Sequence, residues 1–561
     1  MDGFYREIIA RIISDKNTKY ALTNLKNILA KKYGMKKIPT DTEILLNATK
    51  EEYKKLTLIT KPTRTLSGVA PIALMCMPHK CPHGTCIYCP GGPGSEFGDI
   101  PQSYTGNEPS TMRSIRNHYD PYLIVFNRLE QFVCLGQNPE KTEVIIQGGT
   151  FPSLSEKYQD EFVMYTLKAM NDFSSMFYKK EFDFIKFKKL FDLPGDINDK
   201  SRILRLHEKL LKIKGESTLL KEQKKNETAS IRCVGLTIET KPDWALLPHA
   251  IQMLKLGCTR VELGVQTLYP EVLKFVNRGH GLSEIIESTR ILKDLGFKIN
   301  YHMMPGLPLS TPKKDISMLK ETIDNPDYRP DMYKIYPTMV MKGTPLYHLW
   351  KTGEYKSLER DSAAKIISEF MGYLPYWIRV MRVQRDIPTK VTEAGVDRTN
   401  LRQYVDELMK KKRIVSKDIR AREAGLLSRS EKITGKPKLF VEEYDASHGK
   451  EFFISFEDVK RKALFGYCRL RFPSLSLKKE ITKDSAILRE LHVVGTATGI
   501  GEQGNMQHKG LGKRLLLKAE EIAKKHRKNK MVVISGVGVR EYYRKMGYRK
   551  EGVYVTKKIY S

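Results

Sequence analysis

The sequence predicts an α/β protein in which a partial barrel of six strand–helix units follows a basic helical N-terminal region and precedes a mixed α/β domain. Three observations carry this expectation. Six short apolar runs, at residues 69–77, 143–149, 231–239, 260–266, 298–304 and 332–337, recur with helical stretches after most of them, as parallel strands joined by crossover helices require. The 561 residues exceed what one core can organise, so two to four domains are expected. From residue 436 the pattern changes: runs at 439–444 and 452–456 flank a Ser447-His-Gly-Lys450 turn, which predicts a hairpin, and strands are expected at 463–472, 487–495 and 531–535. This last part reads as an independent unit.

Residues 1–68 are basic and helical in pattern, with Ile8, Ile9, Ile12 and Ile13 on one face and Lys31, Lys32, Lys36 and Lys37 clustered before Pro39. An ordinary helical domain with a charged outer face and a nucleic-acid platform are both open. The net charge of +32 makes a polyanion the default partner and salt-dependent binding the expectation. Of the eight cysteines, three crowd one loop and most others sit inside apolar runs, which argues against a disulfide framework and for a reducing compartment. Without a secretory apolar core or a run approaching a membrane span, the chain is expected to be soluble and cytoplasmic.

Within the barrel, assigned to residues 69–344, the first strand leads into Cys81, Cys86 and Cys89 at C-x4-C-x2-C spacing. Three thiols can hold three corners of an iron–sulfur cube and leave one iron open, whereas structural clusters take four cysteines. A zinc knuckle is the alternative, with His83 as fourth ligand. Gly148, Gly149 and Thr150 close the second strand, where glycines let backbone approach a cofactor's amino group. Residues 239–243, Gln266 and His302 through Pro308 mark later strand ends, the side on which such barrels hold their chemistry. Met303 and Met304 are read as packing, and the charged insertion at 178–230 has no assigned place. In the connecting region 345–435, Arg379, Arg382 and Arg385 recur at helical spacing, which suits either a phosphate-gripping helix face or internal ion pairs. In 436–561, Gln507, Gly510 and Gly512 form a glycine-rich loop opening a helix with Leu511, Leu515, Leu516, Ala519 and Ile522 on one face. Its free backbone N–H groups suit a pyrophosphate. The G-x-G-x-x-G of a dinucleotide fold is missing from the sequence.

The cysteine spacing is similar to the C-x3-C-x2-C loop of radical S-adenosylmethionine (SAM) enzymes, with one residue added. The Q-x-x-G-x-G loop between a long strand and the segment 541–548 resembles GCN5-related N-acetyltransferases. With Cys81–Cys89, Gly148 to Thr150, His302 to Pro308, Glu490 to Gly495 and Gly536 to Tyr543 in this order, the chain resembles the family of the Elongator catalytic subunit in its single-chain archaeal form. That resemblance implies a tRNA-modifying acyltransferase which attaches a carboxymethyl group to C5 of wobble uridine 34, using acetyl-CoA and SAM. It implies a 4Fe–4S cluster on Cys81, Cys86 and Cys89, and a 5′-deoxyadenosyl radical that takes hydrogen from acetyl-CoA. Acetyl-CoA would lie along Glu490, Leu491, His492 and Val493, with its pyrophosphate at Gln507, Gly510, Leu511, Gly512 and Lys513. Tyr543 would donate to the leaving thiolate, Lys141 would contact acetyl-CoA from the barrel side, and His492 is read as a strand histidine. Many relatives carry zinc-binding cysteines around the segment equivalent to 414–423; this chain has none there, so packing or ion pairs are expected to hold the region. Accessory subunits are not expected to be required. The alternative function is a protein lysine acetyltransferase with the barrel as scaffold.

Overall fold

The computed structural model describes residues 2–14, 19–56, 58, 60, 68–196, 199–427, 437–494 and 510–560. Its first sheet holds the six expected strands, Ala70–Met75, Lys141–Gln147, Arg232–Thr240, Arg260–Gln266, Lys298–Met303 and Met332–Ile335, in sequence order and all parallel. Alternation along each strand sends one set of side chains under the helices and the other into the barrel interior. In the second strand Val144 and Ile146 are fully buried in the core beneath the helices, while Lys141, Glu143 and Gln147 occupy the alternate positions. The covering helices include Pro121–Cys134, Glu156–Phe177, Leu282–Asp294 and Pro312–Asp324. Asp120, Ser155 and Thr311 accept from the first-turn N–H groups of three of these helices and so fix their starts.

A seventh parallel strand, Arg379–Arg382, follows Met332–Ile335 and extends the sheet past residue 344. The helical spacing of Arg379, Arg382 and Arg385 therefore does not describe a helix face. Ile378 and Val380 are fully buried, and the Val380 N–H donates to Asp418 Oδ1 at 2.7 Å, so tertiary pairing sets this stretch. The insertion at 178–230 forms the helices Phe184–Leu190, Lys200–Lys214 and Leu219–Asn226. Phe187 and Phe191 pack against Phe173 and Phe177 of the helix Glu156–Phe177, which seats the insertion on the outer wall of the barrel.

The N-terminal region folds as the helices Asp2–Ser14, Lys19–Lys32, Asp41–Leu46 and Lys50–Lys55, the last two opened by capping boxes at Thr40 and Thr49. Phe4, Ile8, Ile9, Leu29 and Leu45 form its own small core.

The second sheet is mixed, in the order Lys438–Ala446, Gly449–Glu457, Leu464–Phe472, Ser485–Val493, Lys530–Val533, Tyr554–Lys558, Arg549–Glu551. The expected hairpin is present: Ala446 pairs with Gly449, and Ser447 and His448 take φ of 45° and 60°, the twist that two-residue hairpin turns favour. The unit is not independent of the barrel. Phe453, Tyr467, Ile487, Val532 and Tyr554 belong to the barrel's own core. At the junction Arg489 binds Asp331 at 2.6 Å and Glu451 at 3.0 Å, Arg471 binds Asp294 at 2.6 Å and Glu451 at 3.0 Å, and Arg469 binds Glu490 at 2.8 Å. Although burial alone would raise the Asp331 carboxyl, Arg489, Lys293 and Arg469 hold it well below the usual range. Such a network adds little net stability over an apolar interface, but breaking one partner leaves a buried charge unpaired, so it fixes one docking geometry. No helix among the described residues is long and apolar enough to cross a membrane.

Candidate active site

The loop after the first strand carries Cys81, Cys86 and Cys89 to one wall of a cleft at the C-terminal mouth of the barrel, where Gly149, Thr150, Glu239, Gln266 and His302 also arrive. The cleft is open to solvent at its mouth. Gly148 and Gly149 take φ of 116° and 95°, and a Cβ on Gly148 would stand 2.8 Å from Cys76 Sγ. A Cβ on Gly149 would stand at ordinary contact distance, 3.6 Å, from Cys81 Sγ, so at that position it is the positive φ beside the loop that asks for glycine. Cys76 itself is turned away, donating to the Gly148 carbonyl at 3.4 Å. Cys81 Sγ lies 3.3 Å from Thr150 Oγ1, and Cys89 Sγ accepts the Ser103 N–H at 3.1 Å.

The donor set fits a three-thiolate metal cluster. Burial and the neighbouring Cys86 push the Cys89 thiol up to about 12, and burial raises Cys81 as well. Thiols this reluctant to ionise lose their protons to bound metal, whose charge replaces the missing solvation. His83 also lines the cleft, with Nε2 3.3 Å from Cys86 Sγ; burial, Lys241 and Arg278 push it down to about 3, which keeps it neutral.

Beneath the cysteines the barrel interior is polar. Glu239 accepts from Tyr104 at 3.0 Å and from Gln147 at 3.1 Å, and His302 Nε2 meets Glu262 at 2.9 Å. Sequence reasoning missed Lys334, whose ammonium reaches Glu239 at 3.0 Å and also binds Glu262. Its signal was a single lysine at an inward position of an otherwise apolar strand. Glu239, Glu262 and His302 stand close enough to ligate a metal, but the lysine ammonium already bridges both carboxylates and Arg260 pairs with Glu262 at 3.3 Å. Arg382 and Arg385 line the mouth, Arg382 paired with Asp386 and Arg385 donating to the Ser103 carbonyl, while Arg379 pairs with Glu423. Of the two readings for this arginine set, ion pairing holds for Arg379 and Arg382.

The residues expected around acetyl-CoA gather elsewhere. Strand Ser485–Val493 pairs with Lys530–Val533 only from Ser485 to Leu488, so Glu490, Leu491, His492 and Val493 keep their ladder to Leu464–Phe472 while the other edge opens as a crevice. The helix Leu511–Lys525 starts at the crevice, and a Cβ on Gly512 would lie 3.0 Å from the Tyr542 hydroxyl and 3.6 Å from Val493. Gly510 precedes the helix with φ 75°, Leu511 is buried and Lys513 exposed. Gln507 lies outside the described residues. Tyr543, on the short helix Arg540–Arg544, packs against Tyr542 and Tyr548, and burial raises its phenol. His492 is half-buried and held below the usual histidine range by burial and Arg379.

Lys141 opens its strand at the end opposite the cysteines, six residues and about 20 Å from Gln147. It pairs in register with Arg232, whose Cβ stands 2.6 Å from where a Cβ on Gly538 would be, so it belongs to the barrel end that faces the C-terminal sheet. The segment 414–423 is held by Asp418 on the Val380 N–H, by Arg422 on Glu457 at 2.7 Å and on the Tyr376 carbonyl at 2.7 Å, and by the Arg379–Glu423 pair.

The radical SAM superfamily model matches residues 75–319, the radical SAM C-terminal domain model 330–411 and the ELP3 N-terminal domain model 1–66. The tRNA uridine(34) acetyltransferase of Methanocaldococcus jannaschii is 44% identical over 98% of this chain and 97% of its own length. The Elongator complex protein 3 of Saccharomyces cerevisiae is 39% identical over 99% of this chain and 94% of its own. The chain belongs to this family. A solved structure of the archaeal Methanocaldococcus infernus Elp3 with residues 1–46 deleted, 38% identical, matches with a TM-score of 0.71 over 88% of this chain and 100% of that one. Radical SAM membership implies a 4Fe–4S cluster and SAM, and the three thiols of the cleft suit the cluster. The family resemblance and the partial barrel read from the sequence both hold.

Proposed function

We propose that this chain, acting without accessory subunits, attaches a carboxymethyl group to C5 of uridine 34 of tRNA, the two new carbons coming from acetyl-CoA. The observation that carries the reading is the convergence of Cys81, Cys86 and Cys89 on one cleft in a chain 44% identical, end to end, to a protein named tRNA uridine(34) acetyltransferase. A carbon acceptor on a base calls for more than acyl transfer. The methyl C–H bond of an acetyl thioester is too strong and too weakly acidic for side-chain acid–base chemistry at ordinary pH, so a cofactor must do the hard step. Cys81, Cys86 and Cys89 would hold the cluster, which with SAM and one electron from a reductant would supply a carbon-centred radical.

The chain's own residues hold and shield the reactants. Gly148 and Gly149 let the backbone approach SAM, and Gln266 and His302 line the same cleft. The open edge of Glu490 to Val493 offers backbone partners to pantetheine, and Leu511, Gly512 and Lys513 present the helix N-terminus to the pyrophosphate, with Gly510 just before it. Burial keeps the Tyr543 hydroxyl protonated, as a donor to a departing thiolate must be. Lys141, lowered by burial and Arg232, sits at the barrel end that faces the C-terminal sheet. Lys31, Lys36 and Lys37 are exposed for tRNA phosphates, whereas Lys32 is bound to Glu7 at 2.6 Å. A tRNA substrate places the reaction in the cytoplasm. Peptide acetylation with the barrel as scaffold is not favoured by the relatives' names.

The test is mass spectrometry of tRNA nucleosides after anaerobic incubation with SAM, a reductant and acetyl-CoA. Carboxymethylated uridine that requires all three supports the reading. Unmodified uridine beside an efficiently acetylated lysine peptide would overturn it.

A further inference from the structure

The cysteine loop is clamped by a segment that the activity has not yet used. After the helix Pro270–Phe275 the chain runs through Val276, Asn277, Arg278 and Gly279 directly against the loop. The Ile87 N–H donates to the Val276 carbonyl at 3.2 Å, and Asn277 Nδ2 donates to the Thr85 carbonyl at 2.9 Å. A Cβ on Gly279 would overlap His83 at 2.4 Å. At the centre of the clamp Arg278, 7% exposed, points Nη1 at Cys86 Sγ, 3.5 Å away. Its other nitrogens are fixed by the Gly264 carbonyl, Nη2 at 2.6 Å and Nε at 3.2 Å. The site is built for the guanidinium: a Cβ on Gly264 would stand 2.4 Å from Nη2.

The charge of Arg278 has no carboxylate partner among the described residues; the groups that act on it are Tyr88, Cys86 and Cys81. Lys241, the other buried cation near the loop, differs in pairing with Asp243 at 3.3 Å. A buried, unpaired guanidinium held against a ligand sulfur favours whichever state of that sulfur carries more negative charge, and low local polarity enlarges the effect. We propose that Arg278 is a positioning residue for the cluster: by donating to the Cys86 sulfur it makes the cluster easier to reduce and holds the middle thiol in place. Hydrogen bonds to sulfur and net charge are the levers by which proteins set such potentials.

The inference rests on the cluster assignment, and one experiment separates the two. The full-length chain, its Arg278→Met and Arg278→Lys variants and Gly264→Ala are reconstituted anaerobically, assayed for iron and sulfide, and titrated electrochemically with electron paramagnetic resonance detection, with and without SAM. Arg278→Met is expected to load iron and to shift its one-electron equilibrium at least tenfold toward the oxidised form, about 59 mV lower in potential, with or without SAM. Arg278→Lys should recover part of the shift. Gly264→Ala, which displaces the guanidinium without removing it, should move the potential in the same direction and decides the matter if the methionine variant fails to load iron. Iron-loaded Arg278→Met or Gly264→Ala at the wild-type potential would overturn the role of Arg278 alone, and a shift seen only with SAM would reassign it to SAM binding. A wild-type chain that takes up zinc and no iron would overturn the cluster assignment beneath it.

Discussion

The cysteine cleft and the crevice proposed for the thioester are built in opposite ways. At the cleft, three cysteines come from nine consecutive positions, beside Gly148 and Gly149 and clamped by residues 276–279. At the crevice, the walls come from Ser485–Val493, Leu511–Lys525 and Arg540–Arg544, segments that meet only because two paired strands part company after Leu488. Between them lies the buried junction of Arg469, Arg471, Arg489 and Lys293 with Asp294, Asp331, Glu451 and Glu490. The difference teaches that the two ends share their stability but not their chemistry. Damage at either end should be separable by function, while damage at the junction should register as stability.

The strongest break of the comparison is at the ends. Cys89→Ala is expected to abolish base modification and iron loading while leaving acetyl-CoA affinity unchanged by calorimetry. Gly512→Arg is expected to do the reverse: its side chain enters the space beside Tyr542 and Val493, acetyl-CoA binding is lost by more than tenfold, at least about 1.4 kcal/mol, and iron content stays at the wild-type level. Acetyl-CoA binding that falls in both variants would show that the ends are not separable.

A smaller effect sharpens the junction. Burial would raise the Glu490 carboxyl, but Arg469, Lys298 and His492 pull it from 4.5 down to about 2. Its contribution is fully present above about pH 4.5 and is lost as pH falls through about 2. Each tenfold loss of proton affinity on folding corresponds to about 1.4 kcal/mol, so Glu490→Gln should cost about 3 kcal/mol at pH 7, and the gap in thermal midpoint should narrow as the pH falls toward 2. A gap constant from pH 7 to 3 would contradict the electrostatic account of the junction.

Legibility in the sequence followed the same division. The cysteine loop and the six strands could be read because each is contiguous and punctuated by glycine or by an apolar run. The seventh strand could not: four residues are too few for a period, and the recurrence of Arg379, Arg382 and Arg385 imitates a helix face until Ile378, Val380 and Asp418 are seen to hold a strand. Lys334 was hidden for a similar reason, since one lysine in a strand reads as solvent-facing until Glu239 and Glu262 arrive from neighbouring strands. The last domain looked separate because Arg469, Arg471 and Arg489 are each charged; their acidic partners Asp294 and Asp331 lie well over a hundred residues away, on the barrel. Gln507, read from the sequence as part of a glycine-rich loop, lies outside the described residues.

The most direct test of one body with two ends is complementation between chains. Cys89→Ala keeps the crevice and Gly512→Arg keeps the cleft, so an equimolar mixture contains every working part, but never in one chain. With tRNA, SAM, reductant and acetyl-CoA supplied anaerobically, the mixture should give no more modified uridine than either variant alone, while the wild-type chain turns over. Recovery of modification in the mixture to a substantial fraction of wild type would contradict the account, because the two ends would then be trading an intermediate between molecules.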